Sequence, residues 1–200
     1  MIGAGTAANR LAGVPLSTLA ATPREVSDGR VWLLVTSGLL ADDPWLPSLI
    51  GFAIVLCVAL CLLSVRTVML VAAAGQLLSA LAVYSCIDLV RLLDSNAFAS
   101  VVDLNDYGVS AMIAAWIGAV AGLLWRRGPT RRGHLAVAAG CLLCLAIGIA
   151  CRPNVTFLDA EHLIAFAAGV TVAGPHLRER VTRSTQRVIS IVATITGTLT

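Results

Sequence analysis

The feature that most restricts this chain is a succession of apolar runs of membrane-crossing length. A helix rises about 1.5 Å per residue, so a hydrocarbon layer of about 30 Å calls for about 17–25 consecutive apolar residues. Leu46–Ser64, Thr67–Ile87, Gly108–Trp125 and His134–Cys151 fit that measure, and roughly Ala160–Gly174 supplies a shorter fifth run. A weaker candidate falls somewhere in residues 1–24, where Asn9 and Arg10 interrupt a mildly apolar stretch that does not look like a cleaved signal peptide. Val31–Leu40 is too short to span and suits an interfacial or re-entrant piece. Composition agrees, with 58% hydrophobic and 12% charged residues and a mean hydropathy of +0.89. Soluble domains run at about 45–50% and about 25%. The expected fold class is all-α: a polytopic membrane helical bundle with five clear spans plus a weak N-terminal sixth, and no soluble domain of any size.

Charge placement orients the spans. All 14 basic residues are Arg, which reads as the codon bias of a high-GC bacterial genome. They cluster at the ends of apolar runs, where a topology signal belongs and nucleic-acid binding does not. Arg66, the group Arg126, Arg127, Arg131 and Arg132, and the group Arg178, Arg180, Arg183 and Arg187 share one side if every run between them spans. That side should be cytoplasmic. The alternate loops carry Asp42 and Asp43, then Asp88, Asp94, Asp103 and Asp106, then Asp159 and Glu161. The expected location is a bacterial plasma membrane, multi-pass, with a cytoplasmic C-terminus. Residues 1–24 form a weak first helix or N-terminal segment, 25–175 the membrane core and 176–200 a basic tail. Within that tail Val188–Thr200 is too short to span as a helix. Cys141 and Cys144 lie inside an apolar run and read as packing, while Cys86 and Cys151 fall near exterior helix ends, where pairing stays open.

Polar groups inside spans default to functional hypotheses. Gln76 sits mid-helix and suits an interhelical hydrogen bond. Ser110 and His162 differ, because charge parity puts both at the exterior starts of two runs that travel the same way. From Ser110 every fourth residue is small: Ala114, Gly118, Gly122. Ala165, Gly169 and Ala173 repeat the pattern, with His162 three residues before Ala165. Small-xxx-small faces let membrane helices approach closely. If these two faces meet, a hydroxyl and an imidazole share one end of the contact, the minimum set for nucleophilic catalysis. Free backbone N–H groups at the helix start offer an oxyanion site.

These residues resemble the rhomboid family of intramembrane serine proteases. Gly108-Val109-Ser110-Ala111 is similar to that family's Gly-x-Ser-Gly motif, with Ala in the last position. Glu161 to Gly169 looks like its Ala-His-x-x-Gly-x-x-x-Gly pattern, with His162 in the histidine's place. Trp32-Leu33-Leu34-Val35-Thr36-Ser37 resembles the Trp-Arg-Leu-x-Thr stretch that leads into the first external loop, with Leu33 where Arg is usual. The resemblance covers roughly residues 25–175. It implies a six-helix core in which Ser110 is nucleophile, His162 is base, and the backbone of Gly108, Val109 and Ser110 frames the oxyanion. It implies other membrane proteins' transmembrane helices as partners within the lipid bilayer, and no cofactor, metal or nucleic acid. The chain departs from the family at the second helix, whose His and Asn oxyanion donors fall by a gap-free count on Leu46 and Ile50. The aromatic expected four residues after the Ser is Ala114. Loss of a donor favours a second expectation, a non-catalytic rhomboid-like protein that binds client helices. No H-E-x-x-H occurs among the three His, which argues against zinc peptidase chemistry.

Overall fold

The structure, a computed structural model, describes residues 18–40, 45–106, 109–126 and 157–172, with 13 and 15 besides. Among these residues the chain is all-α. Its only extended pairing is an isolated bridge between Ala21 and Asp106. Two short helices, α1 (Pro23–Ser27) and α2 (Leu33–Ser37), precede three long ones: α3 (Trp45–Leu62), α4 (Val65–Leu93) and α5 (Ser110–Arg126). A further helix, α6, covers 157–172. The expected span His134–Cys151, most of residues 1–24 and the tail 176–200 lie outside the described residues.

Local chemistry sets the helix starts. Thr22 caps α1 by accepting from the Glu25 N–H at 3.1 Å, with Pro23 following at a position whose missing N–H costs nothing. Ser64 caps α4, accepting from the Thr67 N–H at 3.1 Å, and so turns the chain tightly between α3 and α4. α4 runs 29 residues, or roughly 44 Å at 1.5 Å per residue, and outlasts the apolar run by six residues because Asp88 and Arg91 ride on its last turns. It is the one described helix both long and apolar enough to cross a membrane; α5 is apolar but shorter. Ser27 Oγ donates to Asp88, and Arg24 pairs with Asp103 at 2.8 Å, fastening α1 to the end of α4 and the loop beyond it.

Two cores follow. One surrounds α5, joining Ala59 of α3, Leu63 in the turn after it, Val68, Val71 and Ala72 of α4, and Ala165 and Phe166 of α6. Phe52 and Trp116 pack at 5.1 Å between ring centroids, and the Trp116 indole N–H donates to the Val68 carbonyl at 2.9 Å. Gly75 lets α4 against α5, since a Cβ there would sit 2.4 Å from that of Ala115. The other core packs Ala21, Val26, Leu33 and Leu34 on Ala80, Val83, Tyr84 and Ile87, so the stretch Val31–Leu40 forms a short helix seated on α4. Gln76 is buried with its carboxamide against Gly38, and its Oε1 makes no hydrogen bond among the described residues.

Candidate active site

α5 and α6 touch backbone to backbone. A Cβ at Gly118 would lie 2.1 Å from the Phe166 carbonyl oxygen, and one at Gly169 would lie 1.9 Å from that of Ala115. A Cβ at Gly122 would come within 3.1 Å of the Val170 carbonyl oxygen. Gly118 faces Phe166 and Gly122 faces Val170, one turn on along both helices, so the two run parallel. Carried back two turns, that register sets Ala114 level with His162 and Ser110 level with Leu158. Gly169, lodged against Ala115 and Ala119, shifts the match so as to bring His162 nearer to Ser110. Ser110 and His162 therefore stand at one end of the seam, no more than about one turn apart along the axis, or roughly 6 Å. Both are half-buried. His162 takes part in a further polar or ring interaction.

Ser110 is the first residue of α5. The Ile113 N–H bonds to the Val109 carbonyl at 3.0 Å, which leaves the N–H groups of Ser110, Ala111 and Met112 without partners inside the helix. Such a cluster can hold an oxyanion. Val109 is buried beside it, and Gly108 lies outside the described residues. Ala114, Ala115 and Ala165 are buried along the seam. At its opposite end Arg126 Nη2 donates to the Val170 carbonyl at 3.1 Å.

The second-helix positions need correction. Leu46 and Ile50 are 54% and 52% exposed and share an outward stripe with Ile54 and Val58. The face of α3 packed on the core bears Phe52, Val55, Leu56 and Ala59. Positions 46 and 50 sit roughly a third to a half of a turn around from 52 at 100° per residue, so neither side chain lies on the packed face. Ser48, one turn before Phe52, is half-buried.

A polar knot sits beside the Ser110 end. Tyr84 Oη donates to Asp106 Oδ2 at 2.6 Å, and Ser79 Oγ donates to Glu161 Oε1 at 3.3 Å and to the Gly75 carbonyl. Asp106 and Glu161 are both buried. In the sequence these acids read as charges of the exterior loops. No family model, curated protein or solved structure matches the chain. Among the described residues no group of His, Cys, Asp and Glu is arranged to hold a metal ion.

Proposed function

We propose that the chain is a rhomboid-like intramembrane serine peptidase that cleaves transmembrane segments of other membrane proteins near the exterior face. The observation that carries this reading is the parallel, glycine-to-backbone seam of α5 and α6, which sets Ser110 and His162 within about a turn at one helix end. The membrane setting draws support from the length of α4 and from outward apolar side chains such as Ile54, Val58, Met69 and Leu81. In the proposed reaction Ser110 Oγ attacks the scissile carbonyl carbon while His162 takes its proton. The oxyanion sits on the free N–H groups of α5. The C–N bond then breaks as His162 returns the proton to the leaving amine, and water, deprotonated by the same imidazole, releases the acyl group from Ser110.

A second reading, a non-catalytic member of the same kind that binds client helices, is favoured by the outward direction of Leu46 and Ile50. Removal of one oxyanion donor costs about 10²–10³ in rate. A serine-directed fluorophosphonate distinguishes the two. It should label the wild type, and Ser110→Ala and His162→Ala should each abolish labelling, the latter with its hydroxyl still present. A folded wild type that resists the probe would establish the binder instead. Reporter fusions after Arg132 and Arg187 should report cytoplasm and one near Asp94 the exterior; the reverse pattern would overturn the orientation.

A further inference from the structure

We infer that the Tyr84 hydroxyl is a positioning group: by holding Asp106 it sets the chain that leads into α5, and with it Ser110 and the free N–H groups of the first turn. The catalytic consequence rests on the Ser110–His162 reading. Tyr84 lies on α4, is buried, and donates from Oη to Asp106 Oδ2 at 2.6 Å. The backbone of the same Asp106 is tied to Ala21 in both directions. Its N–H donates to the Ala21 carbonyl at 2.7 Å, and its carbonyl accepts from the Ala21 N–H at 2.9 Å. Side chain and main chain are therefore held at one point by two separate segments. A second held point lies just past the serine. Gly75, two and a half turns earlier on α4, faces α5 so closely that a Cβ there would lie 3.2 Å from the Ala111 carbonyl oxygen. Ser110 falls between the two points, four residues after Asp106 and one before Ala111. One helix thus grips the chain on both sides of Ser110, with a glycine on the α5 side and a phenol on the loop side. The ring of Tyr84 belongs to the core with Ala21, Val26, Leu33 and Leu34, so its packing and its hydroxyl can be separated by Tyr84→Phe. Placement matters steeply at a reacting centre, where an error of about 1 Å can cost about 10²-fold in rate.

The test compares variants of the full-length chain in detergent micelles by fluorophosphonate labelling and by amide hydrogen exchange. Tyr84→Phe should lower the maximal labelling rate about 10-fold to 10²-fold, with the probe concentration for half-maximal rate unchanged. Asp106→Asn, whose carboxamide oxygen still accepts from Tyr84, should label near the wild-type rate, whereas Asp106→Ala should be slowed. Adding Tyr84→Phe to Asp106→Ala should bring no further loss, because the two act through one bond. A hydroxyl that only stabilises the fold would lower Tm and leave the rate per folded molecule unchanged in Tyr84→Phe. That result, or additive losses in the double variant, overturns the positioning role. Hydrogen exchange reads the same bond without any catalysis. In Tyr84→Phe the amides of Ala21, Asp106 and Ile113 should exchange about five-fold faster or more, and those of residues 118–126 should not change. Unchanged exchange at all three overturns the inference whatever the labelling shows. If the wild type takes no label, the peptidase reading falls, and the exchange pattern alone decides whether Tyr84 holds the chain into α5.

Discussion

α5 is gripped on two sides by opposite means. Against α6 it presents glycines and alanines, and the two backbones meet with almost no side chain between them. Against α3 it presents Trp116, whose ring packs at a 52° tilt on Phe52 and whose indole N–H reaches back to α4. A seam of backbones has a single register, because any added atom meets a main chain that cannot rotate away. A seam of rings has many near-equivalent settings, since rotamers can absorb a shift. The serine and histidine sit on the seam that cannot slide.

The contrast is broken most severely at its tightest points. Gly169→Ala and Gly118→Ala should each destabilise the protein by about 3 kcal/mol, the upper part of the range for overpacking. Thermal unfolding in detergent reads this directly, and a loss well under 1 kcal/mol at both would mean that the helices stand farther apart than described. Gly122→Ala, whose new Cβ would sit 3.1 Å from a carbonyl oxygen, should cost clearly less than either. The aromatic seam should yield more gently. Trp116→Phe keeps a ring against Phe52 and gives up one hydrogen bond, for about 0.5–1.5 kcal/mol. Equal losses at Trp116 and Gly169 would erase the distinction between the seams. The smallest effect has the opposite sign. Gly51 lies within α3 with no atom near its missing Cβ, so Gly51→Ala should stabilise by about 0.5–1 kcal/mol through helix propensity alone.

How far the sequence reveals this arrangement depends on which physical quantity is being read. Helices α3, α4 and α5 follow the apolar runs. The end of α4 does not: hydropathy drops at Asp88, whereas the helix persists to a cap at Asp94. The spacing of Gly118, Gly122 and Gly169 points to the seam because glycine has one steric meaning on a helix face. Leu46 and Ile50 show the limit of counting, which keeps position along a helix and loses direction around it. The knot is hidden for another reason. Ser79, Tyr84, Asp106 and Glu161 lie as many as 82 residues apart, and each alone is an ordinary polar residue. Only the folded chain shows that the acids are dry.

The hydrogen bond from Arg126 to the carbonyl of Val170 has a mechanical consequence. It acts as a rivet through the spine of a book whose two covers are α5 and α6. A riveted spine fans open only at the free margin, which here is the margin bearing Ser110 and His162. Substituting Arg126 would release that end, while the contacts of Gly118 and Gly169 with the facing backbone would still hold the register.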